Sequence, residues 1–86
     1  MHKRLGVIGI VVEHLGAAEE INGVLHDCAG IIIGRMGIPY RERGVSIIAV
    51  MVDGTTDEIS ALTGKLGRIR QVSVKTALTK EGQSDV

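Results

Sequence analysis

Apolar residues in the first half of the chain form a continuous run, then a helical stripe, then a second run. Residues 5–12 are rich in β-branched side chains, which predicts a strand that is apolar on both faces. A helix is predicted over about 17–29, with Gly30 at its C′ position, because apolar residues recur there at helical spacing. That stripe consists of Ala18, Ile21, Leu25 and Cys28. Residues 31–35 follow as a second predicted strand.

The second half repeats this pattern at an offset of about 40 residues. Residues 45–52 predict a third strand, and Asp53-Gly54 is interpreted as a turn. Thr55 and Glu58 match a capping box, which predicts a helix running to about Leu66. Its stripe has the same spacing as the first one and consists of Ile59, Leu62, Leu66 and Ile69. Residues 71–78 alternate between apolar and polar side chains, as a half-exposed strand does.

The repeated strand–helix–strand units predict an α+β fold with the element order βαββαβ. Two right-handed split βαβ units interleave into a ferredoxin-like four-stranded antiparallel sheet, in the order 4-1-3-2, with both helices on one face. Strands one and three suit the centre because they are apolar on both faces, and the alternating fourth strand suits an edge. We expect one domain over residues 1–78 and a polar, frayed tail over 79–86.

Two helices can cover only one face of such a sheet, so its other face should be an apolar surface. An exposed patch of that kind is typical of an interface, and self-association as a dimer or tetramer is expected. On strand three the interface candidates are Ile48, Val50 and Val52. Residues 47, 49 and 51 form the alternative set, and the pattern alone does not decide which set faces the helices.

Composition limits the partners and the compartment. Ten basic and ten acidic residues give a net charge of zero, so no direct binding of DNA and no membrane association are expected. The single cysteine, Cys28, excludes an internal disulfide and suits a reducing cytoplasm. Lys3-Arg4 before an apolar run mimics a short signal peptide, but the β-branched content favours a strand. A cytoplasmic protein is therefore predicted.

Residues 34–44 hold the only proline, the only tyrosine and three arginines, and are interpreted as a shaped connection between strands two and three. Arginine offers a planar donor fork that suits carboxylates and phosphates, and tyrosine adds a hydroxyl. The candidate ligand-binding residues are accordingly Arg35, Tyr40, Arg41 and Arg43. The alternative is a solvated hairpin, or one whose arginines pair with Glu42 or with acidic residues of a neighbouring subunit.

Catalytic and metal chemistry find little support in the sequence. His26 and Cys28 are two residues apart on a helix, so they point about 200° apart and cannot share one ion. A metal site would need two subunits. No paired carboxylates, no Cys–His arrangement at useful spacing and no phosphate-binding glycine loop are recognised. We therefore predict no catalytic residues, no metal ligands and no cofactor, and expect that the chain is not an enzyme.

Three stretches carry a resemblance to a known family: 34–48 (GRMGIPYRERGVSII), 61–68 (ALTGKLGR) and 72–77 (VSVKTA). They resemble proteins described as regulators of iron-only hydrogenase systems. The resemblance implies an ACT-like ferredoxin fold similar to the C-terminal domain of nickel-responsive repressors, associating as dimers or tetramers. Those repressors carry His-x-His on the second strand, where this chain has Ile31-Ile32-Ile33, and a DNA-reading segment that is not expected before Leu5.

These observations favour a non-catalytic, oligomeric module that senses an effector or binds a partner, in a regulatory role linked to an iron-only hydrogenase system. Its partners would be a second copy of the chain and either a small anionic effector or another protein. One alternative is a purely structural assembly subunit. Another is a small enzyme acting on an acyl or phosphoryl anion.

Overall fold

The computed structural model describes residues 2–80 of the chain. Its regular elements are β1 (Arg4–Val12), α1 (Ala18–Asp27), β2 (Ile32–Tyr40), β3 (Val45–Gly54), α2 (Thr56–Gly67) and β4 (Val72–Leu78). Short 3-10 turns lie at Leu15–Ala17, Ala29–Ile31 and Arg41–Arg43.

The four strands form one antiparallel sheet in the order β2-β3-β1-β4. This is the predicted order 4-1-3-2 read from the other edge, so the predicted topology is confirmed. β1 pairs with β3 along its whole length, from Arg4 opposite Gly54 to Val12 opposite Ser46. β2 and β4 are the two edge strands.

The core lies between the sheet and the two helices. β1 and β3 contribute alternate residues to it, and the helices contribute the apolar stripes predicted from their spacing. Its buried side chains are Ile8, Ile10, Val12, Ala17, Ile21, Leu25, Val50, Val52, Ile59, Leu62, Leu66 and Ile69. Ala17 is buried in place of the predicted Ala18, which is exposed, and Cys28 is half-buried.

Several predicted boundaries are wrong, because strand pairing continues wherever a neighbour offers backbone partners. Asp53 and Gly54 do not form a turn; they extend β3 and pair with Leu5 and Arg4. β2 runs to Tyr40 instead of ending at residue 35, since its pairing with β3 continues as far as Tyr40 opposite Val45. The connection shrinks to one 3-10 turn and Gly44, whose φ of 67° is left-handed backbone that favours glycine.

The end of α1 also differs from the prediction, whereas β4 ends at Leu78 as predicted and begins one residue later, at Val72. α1 ends at Asp27, with Cys28 as its C-cap, and Gly30 belongs to a following 3-10 turn. Thr79, the first residue of the segment predicted to be frayed, makes two hydrogen bonds with Leu5: its amide donates to the Leu5 carbonyl at 2.9 Å, and its hydroxyl accepts from the Leu5 amide at 3.3 Å. The rest of the predicted tail, residues 81–86, lies outside the described residues.

The predicted capping box at the start of α2 is confirmed. The Thr55 hydroxyl accepts from the Glu58 amide at 3.2 Å, and Glu58 Oε1 accepts from the Thr55 amide at 2.9 Å. Both bonds satisfy amide groups that a helix start otherwise leaves unpaired. The Thr55 amide and then its hydroxyl lower the pKa of the Glu58 carboxyl below its usual 4.5, with a small further contribution from Lys3.

The substitution Thr55→Ala should therefore lower the free energy of unfolding by about 1 kcal/mol, because the Glu58 amide loses its acceptor. The free energy of unfolding, measured by denaturant titration, checks this. The control is Thr56→Ala, the same substitution at the next residue, which is exposed and is not the N-cap of α2. Equal losses in the two variants would contradict the role assigned to Thr55.

Glu58 also predicts a pH dependence. Its pKa is lower in the folded chain than in the unfolded one, so its ionised form stabilises the fold above the unfolded pKa, and this contribution disappears as pH falls through the folded pKa. The stability difference between the natural chain and Glu58→Gln should be full near pH 7 and shrink below about pH 4.5. Thermal unfolding at a series of pH values measures it. A difference that stays constant from pH 7 to 3 would contradict the assignment.

Candidate functional site

The candidate ligand-binding residues lie along the edge strand β2 and in the turn after it, and the strand divides them between two faces. Arg35 pairs with Val50, which is buried beneath the helices, so Arg35 lies on the helix side. Tyr40 pairs with Val45, which has the same orientation on β3 as the exposed Ile47, so Tyr40 lies on the other side. Arg35 and Tyr40 are therefore not brought together.

On the helix side, Arg35 is tied to α1. Its Nη2 donates to the Asn22 side-chain carbonyl oxygen at 3.0 Å, which fixes the guanidinium beside the helix. No carboxylate among residues 2–80 forms an ion pair with Arg35. A guanidinium carries five N–H donors, so most of its donors and its charge are left for solvent or a ligand.

Around Arg35 lies an open groove of about 510 Å³, which we call the α1–β2 groove. Its walls are Asn22, Leu25, His26, Ala29, Ile32 and Arg35. Four of these residues come from α1 or the turn after it, at spacings that place their side chains on one helix face. The groove thus has a cationic and amide end next to an aliphatic wall.

The remaining candidates lie in the turn between β2 and β3. The Tyr40 hydroxyl donates to Glu42 Oε2 at 3.4 Å, so the residue expected to pair with arginine contacts the tyrosine instead. Arg41 and Arg43 are exposed and form part of a 3-10 turn closed by Gly44. Anion binding by this turn stays a prediction.

The face of the sheet opposite the helices, here called the outer face, carries most of the exposed large apolar side chains of the described chain. They are exposed by between 38% and 63%. The members are Leu5, Val7, Val11, Ile33, Met36, Ile38, Tyr40 and Ile47. Ile33 is the extra residue of a bulge between Ile32 and Gly34, and it lines a shallow trough with Leu5, Val7 and Met51.

The interface candidates on β3 need a correction. Ile48, Val50 and Val52 face the helices, and the last two are 0% exposed, so they belong to the core and not to the outer face. The alternative set, residues 47, 49 and 51, lies on the outer face. Side chains alternate along a strand, and the pairing of Ile8 with Val50 and of Ile10 with Ile48 decides which set is inside.

Among residues 2–80, no group of three or more His, Cys, Asp or Glu side chains could hold a metal ion. None of its helices is long and apolar enough to cross a membrane.

A protein family described as "TM1266-like: Iron-only hydrogenase system regulator, putative" matches residues 4–76. The chain belongs to this family. The family's namesake, protein TM1266 from Thermotoga maritima, has a solved structure that is 39% identical in sequence. The match covers 92% of this chain and 100% of that one, with a TM-score of 0.87. No curated protein sequence matches.

Other solved structures share the fold of this family member at low sequence identity. A formyltetrahydrofolate deformylase from Pseudomonas putida is 9% identical, and the match covers 85% of this chain and 28% of that one, with a TM-score of 0.62. The apo form of CPII from Thiomonas intermedia, a nitrogen regulatory PII-like protein, is 10% identical, and the match covers 88% and 91%, with a TM-score of 0.55. These likenesses confirm an ACT- and PII-like βαββαβ fold.

Two residues of the α1–β2 groove are not predicted from the sequence to lie there. Asn22 and His26 were not connected with Arg35, although each is a polar residue beside the apolar stripe of the first helix. Their spacing of four residues placed them on one helix face, and this was the available signal. Which strand would meet that face depends on packing between distant parts of the chain.

If Arg35 serves ligand binding more than folding, Arg35→Ala should change the free energy of unfolding by no more than about 0.5 kcal/mol, because the side chain is exposed. Leu25→Ala, in the same groove but 3% exposed, should cost about 2–5 kcal/mol through the cavity it leaves. Denaturant titration of both variants compares them. A loss from Arg35→Ala as large as that from Leu25→Ala would identify Arg35 as a structural residue.

Proposed function

We propose that this member of the iron-only hydrogenase system regulator family is a non-catalytic regulatory module that works as a homo-oligomer and senses an effector or binds a protein partner. The observation that carries the proposal is the outer face. Its exposed apolar side chains come from three strands of a rigid sheet and form one continuous surface. Patches of that kind on small proteins mark interaction sites.

A second copy of the chain suits the outer face, because the eight exposed large apolar side chains of this face lie on three adjacent strands. In a two-fold dimer the same patch of each subunit forms the interface, so the apolar outer face of one copy would pack on the apolar outer face of the other.

The charges on the outer face also favour a copy of the chain over a strongly charged partner. Asp53 lies at one end of β3, and Lys75 lies on the edge strand β4 opposite Gly9. The centre of the face, around Val7 and Ile47, is apolar. A face with one charge of each sign at its border and an apolar centre has the composition of a protein–protein interface.

A structural assembly subunit would use the same outer face but would need no effector. The guanidinium of Arg35 lies on the opposite side of the sheet and forms no ion pair with a carboxylate among residues 2–80, which favours the regulatory function over this alternative. Thermal-shift screening against organic acids, nucleotides and metal ions compares the two. A bound ligand at 100 times its Kd stabilises a protein by about 2.7 kcal/mol, whereas a purely structural subunit should show no shift with any compound.

Association through the outer face predicts that Ile47→Asp breaks the oligomer. Ile47 is 49% exposed and lies between Val11 and Ile38 on that face, so a carboxylate there would be buried without a partner. Sedimentation velocity should give a dimer or larger species for the natural chain and a monomer for the variant, and circular dichroism should show the helices of both.

The matched control is Ser60→Glu, which adds a negative charge at an exposed position of α2 on the helix side. This control should sediment like the natural chain. A natural chain that is monomeric at tens of micromolar, or an Ile47→Asp variant that keeps the natural oligomeric state, would overturn the proposed association.

A further inference from the structure

We propose that the α1–β2 groove binds a small monocarboxylate with a short aliphatic chain and no ammonium group. This inference rests on the proposed regulatory function and names the chemical class of its effector. It extends the earlier expectation of an anion site by separating Arg35 from the turn residues Arg41 and Arg43 and joining it to Asn22 and His26.

The charge of the groove matches one carboxylate. Arg35 contributes a single positive charge that no carboxylate among residues 2–80 neutralises. The Asn22 side chain accepts from Arg35 through its oxygen, which leaves its amide nitrogen as a donor beside the guanidinium. Two planar donor groups held side by side suit the two oxygens of a carboxylate, whereas a phosphate would bring a second negative charge without a partner.

The remaining lining residues indicate what the ligand should carry besides its carboxylate. Leu25 and Ala29, with Ile32 from β2, give the groove an aliphatic wall next to its donors. No acidic side chain lines the groove, so nothing there would balance the ammonium group of an amino acid. His26 follows Asn22 by one helical turn and adds a further ring N–H at the border of the groove.

The groove remains open when two copies associate through the outer face, because the two surfaces lie on opposite sides of the sheet. β2 connects them: Arg35 points to the groove, and the next residue, Met36, belongs to the outer face. A ligand that holds Arg35 would therefore act on the strand that carries Met36 and Ile38 to the partner copy.

The test is a titration of the 15N-labelled full chain with sodium 4-methylpentanoate, followed by 1H–15N correlation spectra at constant ionic strength. We expect saturable shifts, with a Kd in about the millimolar range, for the Asn22 side-chain amide and for backbone amides lining the groove. L-leucine has the same carbon skeleton with an ammonium group, and it should bind at least about tenfold more weakly. Inorganic phosphate should bind more weakly as well.

Variants locate the site. Arg35→Lys keeps the charge but loses the planar fork, and it should raise the Kd by about tenfold or more. Asn22→Ala should weaken binding too, since it removes an amide donor and frees the guanidinium. The matched control is Arg70→Lys, which makes the same change at an exposed arginine between α2 and β4 and should leave the Kd unchanged. Dispersed spectra show that each variant is folded.

Several outcomes would overturn the inference. They are the absence of saturable shifts with 4-methylpentanoate, an unchanged Kd in Arg35→Lys, shifts centred on residues 41–44, and tighter binding of phosphate or L-leucine. Ligand binding and association can be tested separately. A dimer that binds no ligand would overturn only the proposed binding of a carboxylate in the groove. A monomer that binds the ligand would support that binding and overturn only the proposed association.

Discussion

The structure depends on one geometric constraint: two helices can cover only one face of a four-stranded sheet. β1 and β3 are apolar on both faces, so one half of their side chains forms the core and the other half is left on the outer face. The core explains the stability of a small chain with a single aromatic residue. The outer face explains why such a chain has a surface suited to another subunit.

The edge strand β2 contributes residues to two surfaces, the α1–β2 groove on the helix side and the outer face. It pairs on one side only, with β3, and its residues 35–40 are exposed. Its alternating side chains therefore contribute Arg35 to the α1–β2 groove and Met36 and Ile38 to the outer face. Under the proposed function, a strand that belongs to both surfaces would physically link ligand binding to association.

Much of the fold could be predicted because its signals are local. Helical stripes, the capping box of Thr55 and Glu58 and the repeated order of elements each depend on neighbouring residues. The orientation of β3 could not be predicted, since Ile47 and Ile48 are equally apolar and only the register with β1 places Ile48 inside. The contact between Arg35 and Asn22 likewise needs the packing of α1 beside β2, which no local pattern encodes.

The central position of β1 has a consequence for how the chain acquires its structure. β1 is made before the other strands, yet its partners are β3 and β4, and even the nearest pairing in sequence, Val12 with Ser46, joins residues 34 positions apart. Long-range pairing of this kind slows folding, because chain entropy is lost before contacts are gained. During synthesis β1, which is apolar on both faces, therefore stays unpaired until β3 has been made. Only β2 and β3 can pair as a local hairpin.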